Sequence, residues 1–254
     1  MLANSPLNII AFQECHLANS PHDLFATRFQ DYHVFGTKTP SDQFHDTATL
    51  ISKKIEPEPV PIPMTSPART TSILLPQSGI AVINVHAPTP PKADFFTGLH
   101  QHATLLQQRG WQILIIGDFN TTRNTYNRST AKPPDAPPTF YELINAIQLL
   151  DVADHLYPAD ETLALRPEYS RDHLFTFGKT KEGKWQLVSR IDLFLAQASI
   201  IARVRCRYHA MDVGQLSDHK AIYLHLIPPT PNEAAAICPP FRVVPNLIND
   251  PRHK

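Results

Sequence analysis

Several polar side chains stand directly beside apolar runs of this sequence, at positions where a hydrophobic core has no use for them. Their types are carboxylate, carboxamide and imidazole, which can bind a divalent metal, activate a water molecule or donate to an anionic oxygen. In chain order they are Glu14, Asp118, Asn120, Asp192, Asp218 and His219. Together they suit acid–base or metal-assisted chemistry on an anionic substrate.

Asp118 and Asn120 are separated by one residue at the end of the apolar run in "ILIIGDFN". On an extended backbone, alternate side chains point to the same face, so the carboxylate and the carboxamide are presented together. The pair can hold a water molecule and an oxygen of a phosphate group. An Asx turn that closes the connection after the strand explains the same residues equally well.

Asp218 and His219 occur in "SDH", immediately before the alternating run "KAIYLHL". The carboxylate can bind a metal or a water molecule, and the imidazole can donate to a phosphate oxygen. A polar cap on the loop before the strand is the more frequent explanation of a bare Asp-His pair.

Two further carboxylates lie at the ends of apolar runs. Asp192 in "SRIDLFL" needs a partner because a buried, unpaired charge is costly, and a histidine nitrogen or a salt bridge to Arg190 fits equally well. Glu14 in "AFQECH" offers a hard oxygen ligand suited to Mg²⁺. For Glu14 alone, a solvated strand end is the better explanation.

The apolar patterns predict the elements that carry these residues. "NIIAFQE" and "ILIIGDFN" are short buried runs, and "RTTSILLP" and "GIAVINVHAP" alternate well enough to form neighbouring strands. Residues 93–109 place apolar side chains at helical spacing, with Gly110 as the stop. A second helix is predicted over 139–150, with Thr139 as its N-cap and Glu142 completing a capping box.

The second half of the chain is richer in strands. "HLFTFGKTKEGKWQLVSRIDLFLA" predicts a hairpin that turns at "KEGK" and then a strand, and "RVRCRYH" and "HKAIYLHL" alternate as further strands. Because strands outnumber helices and several follow one another, we predict an α+β or α/β sandwich of layered sheets covered by helices.

Length and composition fit one intracellular domain. The 254 residues suffice for a single core, and 23 basic against 23 acidic residues exclude a global cationic field that would hold a polyanion. Cys15, Cys206 and Cys238 form neither a zinc pattern nor a disulfide framework, which favours a reducing compartment. The sequence has no run long enough to span a membrane and no pattern of a secretory signal, so we expect a soluble protein.

Prolines divide the chain. It has 25 prolines and eight glycines, and much of the excess lies in linker-like runs at 57–67, 88–91, 133–138 and 228–240. After the last run, "FRVVPNLINDPRHK" does not resemble a closing core element. We therefore predict a domain over 1–227 and a Pro-rich linker and tail over 228–254.

Five motifs occur in a fixed order along the chain: "FQECH", "VINVHAP", "IIGDFN", "SRIDLFL" and "LSDH". In them the sequence resembles the endonuclease/exonuclease/phosphatase (DNase I-like) superfamily over roughly residues 8–227. Within it, "HLFTFGKTKEGKWQLVSRID" is similar to a Thr-containing hairpin of the apurinic-type endonuclease domains of non-LTR (LINE-type) retrotransposons. The resemblance implies a four-layer sandwich of two mostly antiparallel sheets flanked by helices. It also implies metal-dependent hydrolysis of DNA phosphodiester bonds, as in target-site nicking, with Mg²⁺ or alternatively Mn²⁺.

The resemblance further implies a role for each motif residue. Glu14 would bind the metal, and Asp218 would assist at the metal or the imidazole. Asp118 would handle the proton of the attacking water or leaving group, and Asn120 would orient it. Asp192 would orient His219 against the scissile phosphate. The residues implied to contact the substrate are Thr176, Asn84, Arg190 and Ser217.

Two features depart from the pattern of this superfamily. It opens with a strand bearing an Asn that helps the metal site, whereas only thirteen residues precede Glu14 here. We therefore expect the first strand to be missing, as in a truncated transposon copy. His86 stands in "NVHAP" where the superfamily usually has tyrosine, and because imidazole can also reach a phosphate oxygen we interpret this as a substitution that keeps a catalytic role.

The partners implied by the resemblance are a DNA substrate and a reverse transcriptase domain of the same polyprotein, with nuclear localisation. A phosphoesterase of the same fold acting on small phosphoesters would need a compact polar pocket. The lysines of the hairpin, Lys179, Lys181 and Lys184, favour a polymer, although a lysine-bearing turn is usually a solvated surface. A catalytically dead DNA-binding remnant is supported by the missing strand and opposed by the retained acidic and histidine residues.

Overall fold

The apolar runs of the sequence form the strands of two six-stranded sheets, and a separate two-stranded hairpin accompanies them. The computed structural model describes residues 8–15, 25, 27–36, 47–62, 69–129, 133–157, 174–181, 184–203, 205–211, 217–227 and 238–245. The elements are β1 (Ile9–Gln13), β2 (Tyr32–Gly36), β3 (Ala48–Ser52), β4 (Glu58–Pro59), β5 (Thr70–Leu75), β6 (Ile80–His86), α1 (Ala93–Gln108), β7 (Gln112–Asp118), α2 (Pro138–Ile147), β8 (Leu149–Asp151), α3 (Val152–Leu156), β9 (Phe177–Lys181), β10 (Lys184–Ser189), β11 (Asp192–Gln197), α4 (Ala198–Arg203), β12 (Arg205–Met211), β13 (Ala221–Ile227) and β14 (Cys238–Pro245).

Sheet I has the strand order β12-β13-β14-β1-β3-β2, and sheet II has the order β4-β5-β6-β7-β11-β8. Among the described strands, the pairing is parallel between β1 and β14 and between β6 and β7, and antiparallel elsewhere. The predicted architecture of two mostly antiparallel sheets is confirmed.

Both faces of each sheet are covered, which is why the central strands are continuous apolar runs. Ile9 of β1 packs with Leu114 and Ile116 of β7 in the core between the sheets. The outer face of sheet II packs on α1 and α2, and a cluster that includes Phe12 and Phe25 covers the outer face of sheet I. The layers therefore match the predicted sandwich.

Local predictions hold for α1 and for the strand pair β5–β6, but not for the two ends of α2. The helix ends at Ile147 instead of residue 150, because residues 149–151 form β8. The helix over 138–147 begins after Pro137, which makes no side-chain capping bond, and Pro138 occupies its first turn. Proline is favoured there because its missing N–H has no intrahelical partner in any case. The predicted N-cap at Thr139 and its capping box are therefore wrong. The predicted hairpin turn is confirmed, since Lys181 pairs with Lys184.

Strand β14 lies between β13 and β1 in sheet I, antiparallel to the first and parallel to the second. It therefore fills the position beside the strand that leads to Glu14. The division into 1–227 and 228–254 stays a prediction, and residues 228–237 and 246–254 lie outside the described part of the chain. Residues 1–7 lie outside it as well, and the absence of the first strand stays a prediction. None of the helices in the described ranges has the length and apolarity to cross a bilayer.

Candidate active site

Three polar residues form a row across one end of sheet II. The strand register places His86 of β6 beside Asp118 of β7, and Asp118 opposite Asp192 of β11. Residues paired across neighbouring strands point to the same face, so the three side chains project together. The row is buried, with Asp118 at 4% and Asp192 at 0% exposure.

Gly117 permits this row to form. Its φ is +136°, and a Cβ at this position would lie 2.0 Å from the carbonyl oxygen of Val85 on the neighbouring strand. Only glycine allows β6 and β7 to approach here. Gly117 in "IIGDFN" is therefore needed to place Asp118 in the row.

Asn120 closes the turn after β7. It adopts a left-handed φ of 48°, its backbone N–H donates to Asp118 Oδ1 over 2.7 Å, and its side-chain Nδ2 donates to the Ala87 carbonyl over 2.9 Å. This is the Asx turn that the sequence allowed as an alternative. The turn and a polar site coexist, because the same bond fixes the orientation of the Asp118 carboxylate.

Asp192 is bonded to His219 across the gap between the sheets. His219 Nδ1 lies 2.8 Å from Asp192 Oδ2, so the histidine, not Arg190, is the partner of this carboxylate. Burial alone would lower the pKa of His219, but the charge and hydrogen bond of Asp192, with help from Asp118 and Asp218, raise it to about 10. His219 is therefore a cation at neutral pH.

Asp118 has the opposite character. Burial, followed by the neighbouring Asp192 carboxylate, raises the pKa of Asp118 to about 6, although His219, His86 and the Asn120 N–H oppose the rise. A carboxyl group with a pKa near neutrality can accept and return a proton at physiological pH. The site thus combines a histidine that stays protonated at neutral pH with a carboxyl group whose pKa is close to neutral pH.

Thr176 fixes the other side of Asp192. Its buried hydroxyl accepts the backbone N–H groups of Ile191, over 3.2 Å, and Asp192, over 3.1 Å. Its carbonyl accepts the N–H of Lys220, one residue after His219. Contact of Thr176 with a substrate stays a prediction, whereas its bonds hold the Asp192–His219 pair in place.

The loop with Ser217 and Asp218 is similarly bonded. Ser217 Oγ accepts the backbone N–H of His219 over 3.0 Å, and the Asp218 carbonyl accepts the N–H of Gly178 in the hairpin. The Phe177 ring lies 5.0 Å from the His219 ring, centroid to centroid. The hairpin is therefore attached to the loop that carries the histidine.

Glu14 approaches the row from sheet I. It follows β1 with a left-handed φ of 49°, and its Oε1 lies 3.1 Å from His86 Nε2. The Glu14 side chain is 37% exposed, whereas that of His86 is 2% exposed. The imidazole that replaces the expected tyrosine thus joins the two sheets at the mouth of the site.

Asn84 ties the sheets together two residues earlier on β6. Its Oδ1 accepts from Gln13 Nε2 over 2.6 Å, and its Nδ2 donates to Phe12 O, Ala48 O and Thr49 Oγ1 over 3.1–3.2 Å. The side chain is fully buried. These bonds give Asn84 a positioning role for the end of β1 that carries Glu14, and substrate contact by Asn84 stays a prediction.

Arg190 lies in a buried ion network. Its Nη1 and Nη2 lie 2.8 Å from Asp151 Oδ1 and Asp154 Oδ1, and its Nε donates to Asn127 over 3.2 Å. Arg123 reaches the second oxygen of Asp154 over 3.8 Å. Arg190 thereby anchors the loop that follows β7, and its predicted contact with substrate stays a prediction.

Known proteins share the fold of this chain, and one family model matches most of it. Residues 1–219 match the family model described as the endonuclease/exonuclease/phosphatase family. The chain belongs to this family. No sequence among the curated proteins matches it.

Several solved structures share the fold. A 3'-5' exonuclease from Neisseria meningitidis is 16% identical, with a TM-score of 0.65 over 89% of this chain and 91% of that chain. An AP endonuclease from Archaeoglobus fulgidus is 18% identical, with a TM-score of 0.64 over 86% and 88%. The endonuclease domain of TRAS1, a telomere-specific non-LTR retrotransposon, is 12% identical, with a TM-score of 0.58 over 87% and 98%.

A divalent metal, typical of the endonuclease/exonuclease/phosphatase family, fits part of the row. One ligand atom from each of Asp118, Asp192 and His219 lies within 4.8 Å of the others. Asp192 Oδ1 is buried and has no hydrogen-bond partner among the described residues, which leaves it able to bind a cation or a water molecule. His219 is cationic, so the two carboxylates are the better ligands. Glu14 and Asp218, the predicted ligands, are not members of this described cluster.

Sequence reasoning missed the residues that support the row. Asp151, Asp154 and Asn127 are far from Arg190 in the chain, and no local pattern marks them as its partners. Arg69 was missed as well. Its position one residue before the strand that pairs with "VINVH" was a usable signal, because Thr70 at the start of that strand pairs with Val85, the residue before His86.

Proposed function

We propose that this chain is a Mg²⁺-dependent endonuclease that hydrolyses phosphodiester bonds of DNA, with nicking of the kind used by retrotransposons as its role. The observation that carries the proposal is a cationic His219 held by Asp192, together with an Asp118 carboxyl group in register with Asp192. Hydrolysis of a phosphodiester needs a proton acceptor for water and a positive group for the developing charge. These residues supply both.

His219 acts as the donor to the phosphate. Its Nδ1 is bonded to Asp192, so a protonated ring has Nε2–H as its second donor. Because the Asp192 carboxylate holds the proton on Nδ1, the imidazolium keeps one orientation throughout the reaction. Thr176 contributes by fixing the backbone of Asp192.

Asp118 acts as the proton acceptor. Its raised pKa, caused first by burial, lets the carboxylate take a proton from an attacking water and release it afterwards. Asn120 holds this carboxylate through its backbone N–H, which leaves the second oxygen for the water. The Asx turn is therefore the device that orients the base.

The metal would be held by the carboxylate of Asp192, with Glu14 at the mouth of the site, and Asp118 in the same cluster would keep its second oxygen for the water. When bound, it supplies charge neutralisation on the phosphate and lowers the pKa of water. Asp192 Oδ1 supports this assignment because it is buried and has no described partner.

A polymeric substrate is supported by the hairpin. Lys179 is exposed on β9, whose neighbours Phe177 and Gly178 contact His219 and Asp218. A cationic arm attached to the catalytic loop can bind phosphates on either side of the scissile bond. This arm would not strengthen the binding of a small phosphoester, which has no phosphates on either side of the scissile bond.

The substrate is tested by comparing two reactions of the same protein. Nicking of supercoiled plasmid and hydrolysis of p-nitrophenyl phosphate are measured with Mg²⁺, for the unaltered chain and for His219→Ala. His33→Ala, which removes an exposed histidine on β2, is the control. We expect plasmid nicking that is lost only in His219→Ala. Hydrolysis restricted to p-nitrophenyl phosphate would favour a small-phosphoester enzyme, and DNA binding without nicking would favour a catalytically dead remnant.

A further inference from the structure

Arg69 continues the row of polar residues at the end of sheet II. Arg69 immediately precedes β5, whose first residue, Thr70, is paired with Val85 of antiparallel β6, so Arg69 lies near the end of β6 that carries His86. Beyond His86, the row continues on two further strands with Asp118 and Asp192. A guanidinium group therefore ends a row that is otherwise made of carboxylates and imidazole.

The Arg69 side chain crosses the end of β6. Its Nη1 donates to the His86 carbonyl over 3.4 Å, a long hydrogen bond, and the residue is half-buried. Adjacent strands lie about 4.8 Å apart, so β5 and β7 are about 10 Å apart and an extended arginine covers most of that distance. Burial lowers the pKa of Arg69, and the nearby Glu14 and Asp118 carboxylates oppose this. Glu14 and Asp118 are therefore close enough to the guanidinium to act on its charge.

The bonding of Arg69 differs from that of other arginines around the site. Arg190, Arg123 and Arg128 each have a carboxylate oxygen of Asp151, Asp154 or Asp135 at ion-pair distance. For Arg69, the described residues supply one hydrogen-bond acceptor, a backbone carbonyl, and no such ion pair. A guanidinium has five N–H donors, so most of its capacity is not used by described protein atoms.

We infer that Arg69 binds a non-bridging oxygen of the substrate phosphate and positions that phosphate between itself and His219. The guanidinium is planar and forks toward paired oxygens, which suits a phosphate better than a single carbonyl. His219 and Arg69 reach the row from opposite ends, so a phosphate held by both lies over Asp118. The inference rests on the proposed function for the class of substrate.

A purely structural role of Arg69 and a phosphate-binding role predict different effects of substitution. If Arg69 only supports the His86 carbonyl, a neutral donor should replace it. If it binds phosphate, the charge is needed. Arg69→Gln and Arg69→Lys separate these roles, because glutamine retains an N–H donor without charge and lysine retains charge without the fork. Arg109→Gln removes the same charge from an exposed position after α1 and is the matched control.

The test is equilibrium binding of a fluorescein-labelled DNA duplex, measured by anisotropy in the presence of a chelator. We expect Arg69→Gln to weaken binding by roughly tenfold, Arg69→Lys to weaken it less, and Arg109→Gln to leave it within about twofold. The duplex is then scanned with single, uncharged methylphosphonate linkages. At the linkage that Arg69 contacts, the penalty of Arg69→Gln should disappear. Thermal unfolding of each variant confirms that it is folded.

The outcomes separate this inference from the proposed function. Equal binding by Arg69→Gln and the unaltered chain, a penalty that persists at every methylphosphonate position, or absence of DNA binding by the unaltered chain would overturn the inference. Tight, Arg69-dependent binding without nicking in Mg²⁺ would support the inference and contradict the proposed nuclease activity.

Discussion

Gly117 and Val85 approach so closely that a Cβ on Gly117 would lie 2.0 Å from the Val85 carbonyl oxygen. This contact joins β6 to β7 one residue before Asp118, and it brings the His86 and Asp118 positions into register. The site thus depends on a backbone contact as much as on its acidic side chains.

Gly117→Ala is therefore expected to be strongly destabilising. The added methyl group must separate β6 from β7 or distort the backbone, and we expect a loss of about 2–4 kcal/mol in the free energy of unfolding. Urea denaturation measures this loss. Gly79→Ala is the matched control, because Gly79 also has a positive φ, of 69°, but a Cβ there meets nothing within 4 Å. Equal losses for the two variants would show that φ strain, and not the contact with Val85, dominates.

Removal of the Thr176 hydroxyl should loosen Asp192. Thr176→Val keeps the shape of the side chain but leaves the N–H groups of Ile191 and Asp192 buried without an acceptor, at a cost of about 1–3 kcal/mol. Thr176→Ser keeps the hydroxyl and should lose less. Amide hydrogen exchange at residues 191 and 192 measures the hydrogen bonds to the Thr176 hydroxyl directly. Unchanged exchange in Thr176→Val would contradict the positioning role.

Arg190→Met should destabilise the chain by about 3–5 kcal/mol, because it leaves the fully buried carboxylate of Asp151 and the partly buried carboxylate of Asp154 without their cation. Thermal and urea unfolding measure the change. Arg123→Met, which removes a 31% exposed partner of the same Asp154, should cost less than about 1 kcal/mol. Similar costs for both would mean that the buried network contributes little.

The pKa of His219 should fall when Asp192 is neutralised. In Asp192→Asn the first cause of the raised pKa is gone while burial, which lowers it, remains. An NMR titration of the His219 ring should give a pKa of about 10 in the unaltered chain and a much lower one in the variant. Asp94→Asn, at an exposed position in α1, should leave it unchanged.

The same shift predicts a pH dependence of stability. The folded pKa of His219 is above its ordinary value of 6.5, so its stabilising effect is complete below pH 6.5 and is lost as the pH rises toward 10. The free energy of unfolding should therefore decrease over this window, and less so in Asp192→Asn. An equal decrease in the free energy of unfolding over this pH range in both proteins would show that other groups cause it.

Much of the sandwich follows from local patterns. Residues 80–83 of β6 and 113–116 of β7 are apolar without interruption because both faces of sheet II are covered, and the spacing of Phe95, Phe96 and Leu99 fixes the buried face of α1. The start of α2 was missed because Pro138 at its first turn competes with the capping pattern at Thr139. Strand β14 was missed because its partners, β13 and β1, come from distant parts of the chain.

Local sequence patterns alone predicted only the composition of the site. The sequence indicates that carboxylates and a histidine lie beside strands. The resemblance to the endonuclease/exonuclease/phosphatase superfamily implies a role for each of them. That Asp192 bonds to His219 and Arg190 to Asp151 depends on contacts 27 and 39 residues apart, which no local pattern encodes. Arg69 lies near His86 because β5 pairs with β6, and the side-chain bonds of Asn84 and Thr176 join separate elements of the chain.

The proposed mechanism is tested most directly by the rate of plasmid nicking with Mg²⁺ for the unaltered chain and for Asp118→Asn, which preserves shape and removes the proton acceptor. We expect nicking that needs the metal, stops with a chelator and falls by about 100-fold or more in Asp118→Asn. Nicking by Asp118→Asn at the unaltered rate, or nicking that persists in the chelator, would contradict the account.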